Sequence, residues 1–418
     1  MKILIVANGD FFSSYGGGQV YVKNLVDEMI DQGLDIAIIS FITEPSYKDN
    51  IAKKQYRNVD LFEVSQLDEV SIVEIVKNIS PNMFFLHAHK AYFSRIASML
   101  SIPCVITAHH GGITCPVGTL LNHRDEICKV KVSQKGCLKC VLKNIKGGSL
   151  IYPIFKKLPL SFRLKLGYIL SKLPFIYFVS PIGQASLSID NKQKEWSEII
   201  KNVDLMIAPS YAIANNMVLN GLNEHKIKVL HHGVPFKYHE IEKKTAIVKD
   251  GCIRFFYVGR ICYVKGIHIL LEAFNMLNLE SCELHLIGSI DKKYKKKILH
   301  KYKSNSRVFF YGKIEPSKVS EYISSFDVLI HPTICLEAFG LNISEALLES
   351  KPVIATRCGG AEMQIRDKEN GLLIAPNDVY ALAQAMKWMI DNPLEVKRMS
   401  INAPKKVVSM RENVASIV

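Results

Sequence analysis

The 418-residue chain lacks the long apolar segments that mark membrane-spanning proteins. No stretch approaches the roughly 18 uninterrupted apolar residues of a spanning helix. The opening MKILIVANGD has one Lys and a short apolar run, which indicates a first β-strand and not a signal peptide. Tandem repeats and low-complexity tracts are also lacking. The sequence therefore predicts a cytoplasmic globular protein, and its length predicts two domains.

Acidic residues are in deficit, since 53 Lys and Arg face 39 Asp and Glu and give a formal net charge of +14. Nucleic acid, an anionic membrane surface and a polyphosphate ligand could each account for this charge. Residues 141–175 contain six Lys, one Arg and no acid, interleaved with Leu, Ile, Phe and Tyr. This mixture is typical of a segment lying among lipid headgroups, and a basic face on a buried helix pair is the alternative.

We expect peripheral association with the inner face of the cell membrane, through an anionic surface. We expect no nucleic-acid binding, because no recognition motif accompanies the charge.

Short apolar runs alternate with helical patterns in both halves of the chain. In the first half, the strands Ile3–Ala7 and Asp35–Ser40 flank a helical stripe over Gln19–Gln32. This rhythm predicts parallel, doubly wound α/β sheets. The other predicted strands are Met83–His87, Cys104–Ala108, Leu205–Ala208, Lys228–His231, Arg254–Val258, Glu283–Ile287, Val308–Tyr311, Val328–His331 and Pro352–Thr356.

The polar, Pro-containing residues 231–245 interrupt the alternation and are interpreted as the interdomain linker. We predict an N-terminal domain over 1–236 with a Cys-containing insertion at about 111–182, and a second domain over 247–400. Residues 401–418 are predicted to form a helix that packs back on the N-terminal domain.

Two cations and two carboxylates follow predicted strands of the second domain. Arg260 and Lys265 lie in VGRICYVKG, and Glu337 and Glu345 flank the turn Phe339–Leu341 in HPTICLEAFGLNISE. Ligands of open α/β sheets bind at the carboxyl ends of the strands. Cations suit a diphosphate, carboxylates suit vicinal hydroxyls, and a helix N-terminus suits either. The pattern favours a sugar nucleotide, although solvated surface charges and a helix-capping acid would explain each part separately.

Two further candidates lie in the first domain. Tyr15-Gly16-Gly17-Gly18 joins the first strand to the first helix, where glycine lets the backbone approach a ligand. The full GxGxxG pattern is missing, which disfavours a dinucleotide fold. His109 ends a strand and could reach a sugar hydroxyl, or it could be a satisfied structural histidine.

Four of the ten cysteines follow His109 closely: Cys115, Cys128, Cys137 and Cys140. CLKC with a third Cys nearby is typical of zinc or iron–sulfur ligation. Reduced structural or redox thiols and a disulfide are the alternatives, the disulfide being disfavoured in a reducing cytoplasm. His110 and His123 are spare candidates for a fourth ligand.

Together these motifs resemble the large glycosyltransferase family 4, whose retaining enzymes have the GT-B fold of two Rossmann-like domains facing across a cleft. The resemblance spans nearly the whole chain. Departures are Gln19 in place of a frequent acid and Asn342 in place of a frequent Pro. The matching segments lie at 16–25, 107–110, 208–234, 256–266, 286–289, 332–365 and 370–376.

The resemblance implies a role for each matching position. Arg260 and Lys265 would hold the donor diphosphate, Glu337 the sugar hydroxyls and Glu345 the ribose. The other implied donor-site contacts are the backbone of Phe339, Gly340 and Leu341, the Gly16-Gly17 loop at the diphosphate, His109 at the transferred sugar and the Ile314 backbone at the nucleobase.

The resemblance also implies a retaining, metal-independent transfer of a hexose from a UDP- or GDP-sugar to a glycan or lipid-linked acceptor in cell-surface polysaccharide or lipopolysaccharide synthesis. The lack of a DxD motif agrees with Arg and Lys in place of a metal ion. No cofactor would be required beyond a structural zinc, should the cysteines hold one. The alternatives are an inactive sugar-nucleotide-binding scaffold and an epimerase or phosphorylase of the same fold.

Overall fold

The computed structural model describes residues 1–8, 16–42, 50–172, 180–235, 251–277, 280–292, 294–296, 305–315 and 318–418. These residues form two compact units, Met1–Leu230 and His231–Val418. Each unit contains its own largely parallel β-sheet with helices between the strands. Two parallel-sheet α/β domains were predicted, and this architecture is confirmed.

The first unit contains a sheet of eight strands in the order β3-β4-β2-β1-β5-β6-β7-β8. Every pair is parallel except the β3–β4 hairpin. The interior of β1 is buried at every position, as in a sheet covered on both faces. The strands are β1 Lys2–Asn8, β2 Asp35–Phe41, β3 Ile51–Tyr56, β4 Val59–Val64, β5 Met83–Leu86, β6 Cys104–Thr107, β7 Leu205–Ala208 and β8 Ile227–Val229.

The helices of the first unit include a cluster between β6 and β7. The sequence of α1 explains why this segment is helical, since its buried residues recur at helical spacing and its outer face is polar. The helices are α1 Gly17–Asp31, α2 Glu69–Ile79, α3 Lys90–Met99, α4 Gln134–Lys143, α5 Gly148–Phe155, α6 Leu160–Ser171, α7 Ser180–Gly183, α8 Ala185–Asn202 and α9 Tyr211–Leu219.

The second unit contains six parallel strands in the order β11-β10-β9-β12-β13-β14. The strands are β9 Ile253–Val258, β10 Cys282–Ile287, β11 Val308–Gly312, β12 Val328–His331, β13 Val353–Thr356 and β14 Gly371–Ile374. The helices are α10 Ile267–Leu277, α11 Val319–Ser324, α12 Leu341–Leu348, α13 Gly360–Gln364, α14 Val379–Asp391, α15 Pro393–Asn402 and α16 Met410–Ile417.

Three strands were not predicted: β3, β4 and β14. The β3–β4 hairpin turns at Arg57 and Asn58, both with positive φ, of 48° and 70°. Two positive φ values are typical of a type I′ turn, whose usual sequence is Asn-Gly, so the Arg-Asn pair gave no turn signal. Strand β14 is four residues long and begins at Gly371, a residue that disfavours strands.

Residues 231–234 of the predicted linker pair with the C-terminal segment, and residues 236–245 lie outside the described ranges. The Val234 N–H donates to the Val408 carbonyl at 3.0 Å, and the Met410 N–H donates to the Val234 carbonyl at 2.9 Å. Helix α16 starts at a capping box formed by Ser409 and Glu412. This helix belongs to the second unit, and its packing on the N-terminal domain stays a prediction.

Candidate functional site

The two predicted cations follow β9, where Gly259 has a φ of 145° and turns the chain out of the sheet. Arg260 is exposed after this turn, and its carbonyl accepts a hydrogen bond from the Tyr257 hydroxyl at 2.9 Å. The Arg260 guanidinium forms no ion pair with any described residue. It is therefore held by its backbone while its charge stays available to an anion.

Lys265 is placed by a close approach between two loops. Gly266 has a φ of 69°, and a Cβ at this position would lie 1.9 Å from the carbonyl oxygen of Pro332. The Val264 carbonyl accepts hydrogen bonds from the Ile334 N–H at 3.0 Å and the Thr333 hydroxyl at 3.1 Å. These contacts fix the loop after β9 against the segment after β12, which carries Glu337.

Lys265 and Glu337 form an ion pair that is largely buried. Burial alone would lower the pKa of Lys265, but the attraction of Glu337 outweighs it, so the pKa of Lys265 is raised. Burial alone would raise the pKa of Glu337, but the Lys265 charge outweighs it and the pKa of Glu337 is lowered. Both groups are therefore charged at neutral pH, which suits them to a substrate with an anionic and a polyhydroxylated part.

His331, at the end of β12, lies beside this pair and was given no role by the sequence. Its Nε2 is 3.7 Å from a Glu337 carboxylate oxygen, and its side chain is only 2% exposed. Burial lowers the pKa of His331 to about 4, with Glu337 opposing and Lys265 adding to the shift. The imidazole is neutral at pH 7 and leaves the charge balance of the pair unchanged.

The turn between the two glutamates supplies backbone donors. Gly340 has a φ of 85° and is the N-cap of α12. In the described part of the chain, the N–H groups of Phe339, Gly340 and Leu341 form no hydrogen bond. Asn342 ties the start of the helix to β9, because its side-chain amide donates to the Val258 carbonyl at 2.8 Å. The turn therefore presents unused donors at a helix N-terminus, where an anion or a hydroxyl is stabilised.

Glu345 lies one helical turn into α12 and is half-buried. Burial raises the pKa of its carboxyl group, and no described residue forms a hydrogen bond or an ion pair with it. A carboxylate in this state lacks partners for its acceptor oxygens. Two neighbouring hydroxyls of a ligand would supply them.

Ile314 follows β11 and packs, half-buried, against the core cluster that contains Ile343. Phe339 is buried and stacks on His232 with ring centroids 5.3 Å apart. Its backbone carbonyl accepts a hydrogen bond from the Gln364 side chain at 2.6 Å, so the ring and the carbonyl both hold the turn in place.

The first unit brings its predicted residues together at the carboxyl ends of β1 and β6. Gly16 is the N-cap of α1, Gly17 is its first residue, and a Cβ on Gly18 would lie 3.6 Å from the Cβ of His109. Tyr15 lies outside the described residues. The Nε2 of His109 is 2.9 Å from the Nδ1 of His87, a residue the sequence reading missed. The sequence did contain a signal for this residue, because His87 ends a predicted strand, and that strand pairs with the strand that precedes His109.

Lys90, at the start of α3, contacts the backbone of His87. Its ammonium group donates to the His87 carbonyl at 2.7 Å. Burial lowers the pKa of Lys90 to about 8, with Glu195 opposing the shift. The amine is held on a backbone carbonyl and is a positioning group for the loop that carries His87.

The four clustered cysteines interact with one another. Burial raises the pKa of Cys137 to about 11, and the neighbouring Cys115, Cys128 and Cys140 add to the shift. All four are free thiols. Among the described residues, no three His, Cys, Asp or Glu side chains are arranged to hold a metal ion. Burial also raises the pKa of Cys128 and Cys140, so these two thiols and that of Cys137 are protonated at neutral pH. A bound zinc stays a prediction.

Parts of the chain are similar in sequence to known proteins. Residues 239–406 match the family described as glycosyl transferases group 1. An uncharacterized glycosyltransferase of Methanocaldococcus jannaschii is 23% identical over 403 residues, which cover 93% of this chain and 89% of that protein. The O-antigen chain mannosyltransferase C of Escherichia coli is 26% identical over half of this chain and 57% of its own length.

Solved structures support the fold. The Anabaena protein HepE, in a crystal structure with UDP, superposes with a TM-score of 0.65 at 14% identity over 100% of this chain and 99% of its own. The same protein is also known in complex with UDP-glucose, with a TM-score of 0.64. Most of the second unit is thus similar to glycosyl transferases group 1, and the whole chain shares with the solved structures a fold of two parallel-sheet α/β domains.

Proposed function

We propose that the protein is a retaining, metal-independent glycosyltransferase that moves a hexose-type sugar from a nucleotide-sugar donor to a glycan or lipid-linked acceptor. The observation that carries this proposal is the Lys265–Glu337 ion pair beside the unused donors of the 339–341 turn. The binding of UDP and UDP-glucose by HepE supports a nucleotide-sugar donor of the same kind. The O-antigen mannosyltransferase relative supports a role in surface-polysaccharide synthesis.

Different residues bind different parts of the donor. Arg260 and Lys265 bind the diphosphate, and their charges gain strength as negative charge develops on the departing phosphate. Glu337 and the 339–341 backbone bind the sugar hydroxyls, and Glu345 binds the ribose. The Gly16-Gly17 loop, His109 and the Ile314 backbone contact the diphosphate, the transferred sugar and the nucleobase.

The transfer is a substitution at the anomeric carbon without a change of oxidation state. The bond from that carbon to the phosphate oxygen breaks, and a bond to the acceptor hydroxyl oxygen forms on the same face of the sugar. The acceptor proton passes to the departing diphosphate. Because the leaving group accepts this proton, no Asp or Glu need act as a general base. Because the acceptor oxygen attacks the anomeric carbon directly, none need act as a nucleophile.

Nucleotide release from a panel of UDP-, GDP- and ADP-sugars tests the proposal, with and without a lipid extract as acceptor. We expect one donor to be turned over, with losses of about 100-fold or more in Lys265→Ala and Glu337→Ala. The exposed Lys318→Ala serves as the control and keeps full activity. The proposal is overturned if no donor releases nucleotide and calorimetry detects no nucleotide-sugar binding.

A further inference from the structure

The helical cluster between β6 and β7 has a one-sided charge. Residues 127–189 contain ten Lys, one Arg and no Asp or Glu. They form α4, α5, α6, α7 and the start of α8. No helix of the described residues is long and apolar enough to span a membrane.

The inner side of α5 and α6 is anchored in the first unit. Phe155 belongs to a buried cluster with residues of α4 and α8. A Cβ on Gly167 would lie 2.9 Å from the Cβ of Leu187, and one on Gly183 would lie 2.1 Å from a methyl group of Leu170. Helix α6 therefore packs tightly on α7 and α8, and its outer side is fixed toward solvent.

That outer side carries exposed apolar side chains. On α5, Leu150 is 84% exposed and Ile154 is 69% exposed, four residues apart and so on one face. On α6, Phe162 and Ile169 are exposed at a spacing of seven, which is also one face. Exposed apolar residues clustered at helical spacing mark an interaction surface, whereas scattered ones need no explanation.

Exposed lysines lie in α6 and in the segments that flank α5 and α6. In the described part of the chain, none of the following forms an ion pair: Lys146, Lys156, Lys157, Lys165 and Lys172. Lys143 differs, because its ammonium lies 2.8 Å from the Asp125 carboxylate.

Arg163 adds a cation beneath this surface. It is 8% exposed, lies 5.8 Å from the centre of the Phe155 ring, and its Nε and Nη1 have no hydrogen-bond partner among described residues. No carboxylate of residues 127–189 neutralises it. The face as a whole therefore carries a positive charge that an anionic partner would balance.

We propose that this α5–α6 face docks the protein on a bilayer rich in anionic lipid, with Leu150, Ile154 and Phe162 in the interface and the lysines at the phosphates. Apolar residues beside unpaired lysines suit a headgroup layer, because each kind of side chain finds its own environment there. A second copy of the chain is disfavoured as the occupant, since two such faces repel each other. The inference rests on the proposed transfer to a lipid-linked acceptor and deepens it.

Vesicle co-sedimentation of the full chain tests this surface without any donor. Vesicles of phosphatidylcholine mixed with phosphatidylglycerol are compared with vesicles of phosphatidylcholine alone, at low and high salt. We expect at least about tenfold greater retention on the anionic vesicles at low salt, and a marked loss at high salt. Equal retention on both vesicles, or none on either, overturns the proposal.

Matched variants locate the effect. Leu150→Ser with Ile154→Ser is compared with Val70→Ser and Leu394→Ser, whose side chains are 76% and 81% exposed elsewhere. Lys156→Glu with Lys157→Glu is compared with Lys201→Glu and Lys397→Glu, which make the same charge change at exposed lysines. We expect a loss of about tenfold or more only in the α5–α6 variants. Equal losses in the controls overturn the proposed surface.

Nucleotide-sugar binding by calorimetry separates this proposal from the proposed function. The α5–α6 variants should bind donor like the wild type, because Lys265 and Glu337 are untouched. Vesicle binding without donor binding would retain the surface and reject the glycosyltransferase.

Discussion

Lys265 and Glu337 stabilise each other in a largely buried site, so removing either one leaves a charge without its partner. We expect Lys265→Met and Glu337→Gln each to lower the free energy of unfolding by roughly 2–3 kcal/mol. The double variant should cost about 1–2 kcal/mol less than the sum of the two, because no unpaired charge remains. Urea unfolding of the four proteins gives this coupling.

The control for that cycle is the exposed pair Lys387–Asp391, at 2.7 Å and with both side chains 50% exposed. Its coupling should not exceed about 0.5 kcal/mol, because water screens it. An equally small coupling between Lys265 and Glu337 would contradict the burial of that pair.

Glu345 illustrates a conflict between stability and binding. Burial raises the pKa of this carboxyl group and no described residue pairs with it, so the ionised form is destabilised in the free protein. We expect Glu345→Gln to stabilise the protein by about 1 kcal/mol at pH 8 and to weaken nucleotide-sugar binding about tenfold. Thermal unfolding and calorimetry measure the two effects, and a destabilised variant would show that the carboxylate has a partner.

His331 should make stability depend on pH. Its folded pKa is about 4, below the unfolded value of about 6.5, so the unfolded chain binds more protons between these values. The stability it contributes is complete above about pH 6.5 and is lost as pH falls toward 4, by roughly 2–3 kcal/mol. His331→Gln should flatten the decline between pH 6.5 and 4.5, relative to the exposed His225→Gln. Identical slopes in both variants would contradict the burial of His331.

At the scale of elements, Gly266 decides whether the loop after β9 can reach the segment after β12. Gly266→Ala adds a Cβ 1.9 Å from the Pro332 carbonyl oxygen at a positive φ. Gly33→Ala is the matched control, because Gly33 has a φ of 73° and nothing lies within 4 Å of the added Cβ. We expect the free energy of unfolding, measured in urea, to fall by about 1 kcal/mol in the control and by roughly 3 kcal/mol or more in Gly266→Ala.

Activity separates the two glycines further. Gly266→Ala should lose most nucleotide release because Lys265 moves with its loop, whereas Gly33→Ala should retain it. Similar losses in the free energy of unfolding for Gly266→Ala and Gly33→Ala would mean that the loop after β9 shifts to accommodate the added Cβ.

Among the strands, the local sequence pattern predicted the buried ones and missed an edge strand. Strands with continuous apolar runs were predicted to within about two residues, as with Leu205–Ala208 and Val328–His331, since burial on both faces of a parallel sheet leaves a strong signal. Strand β3 escaped prediction because it pairs only with β4, at the edge of the sheet, and contains two Lys. Edge strands carry polar residues, and a pattern of burial cannot reveal them.

For the whole molecule, the two units predict two responses to ligand. The nucleotide contacts proposed for Arg260, Lys265, Glu345 and Ile314 lie in the second unit, whereas the first unit is proposed to contact the diphosphate through the Gly16-Gly17 loop. A nucleotide at about 100 times its dissociation constant should stabilise the second unit by about 2.7 kcal/mol. Calorimetry should therefore show one unfolding transition shifted by UDP or GDP more than the other. A uniform shift would contradict the assignment of most of these contacts to the second unit.

The sequence by itself determined the two-domain α/β architecture and the site candidates at strand ends, because side-chain period and strand–turn chemistry are local properties. It also determined the uneven charge of the α4–α8 region. Only the tertiary structure decided that Lys265 pairs with Glu337, 72 residues away, that His331 and His87 stand beside the predicted residues, and that the apolar residues of α5 and α6 face outward. These facts depend on which distant segments approach each other, and chain spacing does not contain that information.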